Sequence, residues 1–219
     1  HRYQILMEYV GTNFYGWQYQ KKQITIQGTV EKVLKKILKE KVKLCGSGRT
    51  DSKVHAIEQS AHFDVKNKIH NIQKFFKTLN FFLNGMFITV VKIKKRPLTF
   101  HARYSAKKRI YKYLIHNRES LPSIDRDRGW YVKKKLDYEL IKKASHFLKG
   151  THDLSVFRAS NCSASSPVRT IDSLIVKKNN DIIEIKIRSR SFLKQQVRSI
   201  VGCLKYVGEK KWTINKFKK

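Results

Sequence analysis

The chain has 219 residues, of which 41% are hydrophobic and 11% aromatic, a composition that excludes a disordered tail and is typical of a folded protein. Lysine and arginine number 48 against 16 acidic residues, and the formal net charge of +32 favours a polyanionic partner, nucleic acid above all. These charges lie along the whole chain, and the absence of any run of about 18 apolar residues excludes a membrane-spanning helix.

The first half of the chain alternates strand and helix signals. Hydrophobic periodicity predicts strands at residues 3–9, 42–45, 59–65 and 87–93, and helices at residues 28–40 and 72–82. Their order along the chain is β-α-β-β-α-β, which is that of a ferredoxin-like unit.

The same order begins again after Pro97. The pattern predicts strands at residues 109–116, 173–177 and 182–190 and helices at residues 138–148 and 192–207, with the last strand missing before the polar stretch 213–219. Either the terminus is truncated or a partner covers the place of that strand. We therefore predict an α/β (α+β) fold of two ferredoxin-like units, residues 1–97 and 98–219, which share a mostly antiparallel sheet with a basic cleft between them.

Residues 46–56 form the most informative stretch, because they place a carboxylate and a guanidinium on a glycine-hinged loop after a strand. The sequence there is Gly-Ser-Gly-Arg-Thr-Asp-Ser-Lys-Val-His-Ala. From the residues alone Asp51 has two interpretations, a turn cap or a nucleophile. The stretch resembles the signature Gly-Arg-Thr-Asp-Ala-Gly-Val-His of the TruA-type tRNA pseudouridine synthases, with Ser52 and Lys53 in place of Ala and Gly. If φ at Lys53 is positive, the lysine pays a steric cost that glycine would not.

Other segments resemble that family in the same order, and together they cover nearly the whole chain. They are residues 9–18, 100–113, 150–159, 168–171 and 192–202. The resemblance implies that the protein isomerises uridine to pseudouridine in the anticodon stem-loop of tRNA, with the base flipped out of its stack and Asp51 as the nucleophile. A carboxylate suits this role, because it can attack the nucleoside and later depart while a C-glycosidic bond replaces the N-glycosidic one.

The resemblance also implies roles for residues outside the loop. Tyr111 would stack on the target base and help to remove the proton from its C5 atom, and Arg198 would orient the carboxylate of Asp51 and keep it ionised. From the residues alone, Tyr111 could be a plain core residue of its strand. An arginine beside an apolar helix stripe, as Arg198 is, is more commonly a surface residue. The remaining substrate-binding residues by resemblance are Arg49, Arg103, Arg109 and Phe192.

The histidines and cysteines do not have the spacing of a metal site. His55, His62 and His101 lack zinc-site spacing, the three cysteines form neither a CxxC pair nor a disulfide framework, and the isomerisation is redox-neutral. We therefore predict no metal and no cofactor. By resemblance the protein binds tRNA as a homodimer. The scattered cysteines favour a reducing compartment, and we predict the cytoplasm, with an organelle left open for a eukaryotic source. The alternative functions are a catalytically inactive tRNA-binding module and a basic structural protein of a ribonucleoprotein.

Overall fold

A computed structural model describes residues 1–218, which divide into a first unit, His1–Ala106, and a second unit that begins at Lys107. The boundary predicted from the sequence lay after Pro97. None of the helices within the described residues is long and apolar enough to cross a membrane.

The first unit is a four-stranded antiparallel sheet with two helices. Its elements are β1 (Arg2–Tyr9), α1 (Ile26–Leu38), β2 (Cys45–Gly46), β3 (Ala56–Asp64), α2 (Ile72–Leu83) and β4 (Ile88–Arg96), with a short 3-10 turn at Asn84–Met86. The strand order is β2-β3-β1-β4, and at the centre Ile5 of β1 faces Ala61 of β3 and Ile93 of β4. This unit therefore has the predicted β-α-β-β-α-β order.

The side chains of the first unit explain why these elements form. Alternate residues of β1 are buried, as expected of a strand with one face on the core, and the helices cover that face with apolar stripes. The Thr25 hydroxyl accepts the N–H of Gly28 at 3.2 Å, and Asn71 accepts that of Lys74 at 2.8 Å, so each helix begins at a side-chain cap. Core residues include Tyr3, Ile5, Met7, Val30, Leu34, Leu79 and Leu83.

The second unit is a five-stranded sheet with three helices among its described residues. Its elements are β5 (Arg109–His116), β6 (Trp130–Tyr131), α3 (Tyr138–His146), β7 (Gly150–Asp153), β8 (Val168–Asn179), β9 (Ile182–Ser189), α4 (Gln196–Gly208) and α5 (Ile214–Lys218). The order is β6-β5-β9-β8-β7, antiparallel except for the parallel pair β5 and β6. Isoleucines of β9 pack against α3 and α4 in a separate core.

The strands β5, β9 and β8 repeat the arrangement of β1, β3 and β2. Beside β5, at the place that β4 has beside β1, lies the two-residue strand β6, which pairs with Ile115 and His116. After α4 the described chain forms the helix α5, in the polar stretch before which the sequence predicts that the last strand is missing.

The α/β class and the mostly antiparallel pairing are confirmed, but the single shared sheet is corrected. Hydrogen bonds group the described strands into two sheets, one within each unit. The single sheet was inferred from the lack of a linker between the two units. A missing linker shows only that the units are close along the chain, and it does not determine which strand edges pair. The basic cleft stays a prediction.

Candidate active site

The aspartate of the sequence motif lies in the loop that joins β2 to β3. Asp51 and Arg49 are both exposed there. The strands hold the start of the loop, since the N–H of Ser47 donates to the carbonyl of Ser60 at 2.8 Å and the Gln59 amide donates to the carbonyl of Gly48 at 2.6 Å. The loop thus presents a carboxylate on the surface from a backbone that the sheet fixes.

The segment that follows β1 holds the middle of the same loop. The N–H of Trp17 donates to the carbonyl of Thr50 at 3.0 Å, and the hydroxyls of Thr50 and Tyr9 lie 2.9 Å apart. On the other side of the aspartate, the N–H of Lys53 donates to the carbonyl of Phe14 at 3.2 Å. Both flanks of the aspartate are therefore anchored. The sequence interpretation assigned no role to these anchoring groups.

Two glycines make this close approach possible. A Cβ atom at Gly11 would lie 2.1 Å from the carbonyl oxygen of Val54, and one at Gly16 would lie 2.8 Å from that of Thr50. Gly16 also has φ +84°, which side chains disfavour. Both glycines occur in the segment 9–18 that resembles the family, which is the sequence signal for this contact.

Lys53 has a strained backbone, with φ 65°. The condition stated from the sequence is therefore met: lysine occupies a left-handed position where the resembling signature has glycine. Such a conformation costs an L-residue roughly 1–2 kcal/mol. The hydroxyl of Ser52 also donates to the carbonyl of Phe14, at 3.3 Å, and helps to hold the turn.

In the second unit, the structure brings Tyr111 and Phe192 together. Their rings lie 5.0 Å apart between centroids at 89°, an edge-to-face contact. Tyr111 and Tyr113 share the face of β5 that continues into buried Ile115, as the alternation predicted. Arg109 donates a hydrogen bond to the backbone carbonyl of Arg190 at the start of that strand.

Arg198 lies in the first turn of α4, on an exposed position beside buried Ile200 and Val201. Burial raises the pKa of the Tyr113 hydroxyl, and the positive charge of Arg198 opposes that rise. Arg198 and the tyrosine face of β5 are thus near enough to interact electrostatically. In this unit the structure thus joins Tyr111 to Phe192 and places the charge of Arg198 near Tyr113, which shares the Tyr111 face of β5.

The first unit holds the other predicted residues. Arg103 is exposed, with its guanidinium 5.7 Å from the centroid of the Tyr104 ring. Asp51 belongs to the first unit and Arg198 to the second, and their pairing stays a prediction.

Cys45, His62 and His101 form a cluster that sequence spacing did not indicate. Their potential ligand atoms lie within 4.8 Å of one another. However, Nδ1 of His62 accepts the N–H of Ala102 at 3.1 Å, and Nδ1 of His101 accepts that of Arg103 at 3.2 Å. Each neutral ring therefore carries its proton on Nε2 and has no lone pair left for an ion. The cluster as hydrogen-bonded here is a structural contact between β2, β3 and the turn after residue 100.

The chain is similar to proteins of a known family. Residues 5–105 and 144–219 match the family model described as tRNA pseudouridine synthase. The chain is 58% identical over 216 residues to tRNA pseudouridine synthase A of Pelagibacter ubique, covering 99% of this chain and 88% of that protein. It is 44% identical to the protein of that name from Thermoanaerobacter sp. strain X514 (93% and 83% covered) and 40% identical to that from Sinorhizobium medicae (97% and 86%).

Proposed function

Because the chain belongs to the tRNA pseudouridine synthase family, a family of isomerases, we propose that it converts uridine to pseudouridine in the anticodon stem-loop of tRNA, with Asp51 as the nucleophile. The observation that carries the proposal is an exposed carboxylate on an anchored loop. Hydrogen bonds to Thr50 and Lys53 hold the backbone on both sides of Asp51. A nucleophile needs this combination, since it must reach the substrate and keep its direction.

The proposed reaction balances without any external reagent. A carboxylate oxygen of Asp51 forms a bond to the nucleoside while the bond between N1 and C1′ breaks, and the uracil then turns within the site. A new bond forms between C5 and C1′, the carboxylate departs, and the proton lost from C5 is replaced by one gained at N1. The net change is an isomerisation.

The second unit supplies the proposed aromatic groups and the arginine proposed to orient the carboxylate. The edge-to-face contact between the Tyr111 and Phe192 rings holds the tyrosine in place. The tyrosine is therefore suited to stack on the flipped base and to place its hydroxyl near C5. Arg198 is proposed as a positioning residue for the carboxylate of Asp51. Arg49, Arg103 and Arg109 are proposed to bind the RNA backbone.

A homodimer in the cytoplasm completes the proposal. The support is the family resemblance for the dimer and the nature of the substrate for the compartment. Sedimentation equilibrium of the purified chain tests the assembly, and a monomer at all concentrations would contradict it.

The substitution Asp51→Asn tests the nucleophile. It keeps the size of the side chain and much of its hydrogen bonding but removes the charged oxygen, so we expect pseudouridine formation to vanish while tRNA affinity and melting temperature change little. Glu58→Gln is the matched control, because it removes one exposed carboxylate from β3 of the same unit.

Two outcomes would contradict the proposal. A folded Asp51→Asn protein with full activity would show that Asp51 only caps its turn, since asparagine caps turns about as well as aspartate. A wild-type protein that binds tRNA and forms no pseudouridine would instead support the inactive binding module.

A further inference from the structure

The second unit contains an open pocket of about 660 Å³ at the end of β5, away from Tyr111. Three chain segments meet there: the residues after β5, the residues after β6, and the end of β8. Five of the lining residues are cationic, namely Arg118, Lys133, Lys134, Lys135 and Lys178.

The pocket has a fixed wall, because one side chain ties the lysine-bearing segment to the end of β5. The amide nitrogen of Asn117 donates to the carbonyls of Val132 and Lys134, each at 2.8 Å, and its amide oxygen accepts the N–H of Leu136 at 2.9 Å. These three bonds set the backbone from which three consecutive lysines project.

The charges of the pocket are only partly compensated. Lys133 pairs with Glu119 at 2.6 Å, and Arg118 pairs with Asp181 at 3.4 Å. The lining thus carries five positive charges and one carboxylate. Cations gathered in this way repel one another, and a polyanion that enters the pocket relieves the repulsion.

We propose that this pocket binds backbone phosphates of the RNA substrate, at nucleotides other than the one that reacts. The proposal that the RNA is tRNA rests on the function proposed above. Asn117 lies six residues beyond Tyr111, just past the end of β5, and at ~3.4 Å per residue this separates the pocket from the proposed base-stacking ring by up to about 20 Å. A phosphate of the flipped nucleotide itself is too close to that ring to reach the pocket.

The shape of the pocket favours a polymer over a single small anion. Its cations come from three segments spread around a wide opening, and most are lysines, which act as point charges without a fixed donor geometry. Contacts of this kind carry no sequence information, but they set the register of a nucleic acid on the protein. The pocket would therefore position the stem whose uridine reacts elsewhere.

The test removes three of these charges together, as Lys134→Gln, Lys135→Gln and Lys178→Gln. We expect tRNA affinity to fall about 10-fold or more at moderate salt, and the slope of log affinity against log salt to become shallower by about 2, since each lost phosphate contact removes roughly 0.7–0.9 from it. Turnover at saturating tRNA should stay within about twofold, because the pocket is remote from the chemistry.

The matched control carries Lys32→Gln, Lys35→Gln and Lys41→Gln. These exposed lysines lie in the first unit, and the control loses the same net charge. Melting temperature is measured on both proteins. Equal tRNA affinities and equal salt slopes in the two folded variants would overturn the pocket proposal, because only the total charge would then matter. Binding of inorganic phosphate that the pocket substitutions abolish, with tRNA affinity unchanged, would also overturn it and assign the pocket to a small anion.

The tRNA-binding measurements and the activity measurement test the two proposals separately. Suppose that the wild type forms no pseudouridine, while the slope of log affinity against log salt becomes shallower in the pocket variant and not in the control. The proposed function then fails and the RNA pocket stands. If turnover is normal and both variants bind alike, the pocket proposal fails alone.

Discussion

The contact between Gly11 and the Asp51 loop makes a sharp prediction for Gly11→Ala. The added Cβ would lie 2.1 Å from the carbonyl oxygen of Val54, whereas ordinary van der Waals contact begins near 3.4 Å. The two backbones must therefore separate by roughly 1 Å, because neither atom belongs to a flexible side chain. Overpacking of this kind costs about 1–3 kcal/mol, and a misplacement of about 1 Å at a reacting group can reduce the rate 100-fold.

We expect Gly11→Ala to lower single-turnover pseudouridine formation about 100-fold, while the melting temperature falls by about 2–4 °C for each kcal/mol lost. The assay uses a tRNA transcript and follows conversion with time. Gly85→Ala is the control, because no atom lies within 4 Å of a Cβ placed there, and it should retain full activity. If Gly11→Ala matched the control in both activity and melting temperature, the loop would not depend on this close approach.

Two further predictions concern single residues of the first unit. Lys53→Gly relieves a left-handed backbone strain of roughly 1–2 kcal/mol, and the greater chain entropy of glycine in the unfolded state offsets about 0.4–1 kcal/mol of this gain, so stability should be equal or slightly higher and activity retained. A large loss of activity at unchanged melting temperature would show that the ammonium group contacts RNA. Burial lowers the pKa of His62, and the charge of Arg2 lowers it further. The unfolded chain therefore binds a proton to this histidine more readily than the folded one. The contribution of neutral His62 to stability is complete above the ordinary pKa of about 6.5 and is lost as the pH falls through the lower pKa of the folded state. His62→Asn keeps an acceptor for the N–H of Ala102 without a titrating group, and its free energy of unfolding should fall less than that of wild type between about pH 7 and pH 5; parallel curves would contradict this.

Elements whose side chains alternate or repeat clearly were predictable from the sequence. The strand at residues 109–116 was placed correctly, because Tyr111, Tyr113 and Ile115 alternate with residues on its other face. The start of α4 was placed four residues early, at Phe192. Apolar spacing continues through that point, but Gln195 has φ 61° and interrupts the helix.

Burial and strand pairing proved to be separate properties. Val42 and Leu44 are buried, as the predicted strand at residues 42–45 requires, yet the ladder with β3 involves Cys45 and Gly46. Similarly, residues 213–219 look polar, but Ile214 and Phe217 pack against the second core, and this contact explains the helix α5. A helix of this length depends on tertiary packing, which the sequence alone does not display.

For the candidate site, the sequence indicated the residues but not the way the protein holds them. The motif indicated Asp51 as the candidate nucleophile, whereas the hydrogen bonds that hold its neighbour Thr50 come from Tyr9 and Trp17, more than thirty residues away. A Cβ at Gly11 would also lie 3.1 Å from the carbonyl carbon of Lys53, so the strained residue takes part in the same close approach between the two backbones. Strain persists only where surrounding contacts over-determine a conformation. The loop is therefore anchored on both sides of an exposed aspartate, and that combination is what the proposed nucleophile, aimed at a flipped base, requires.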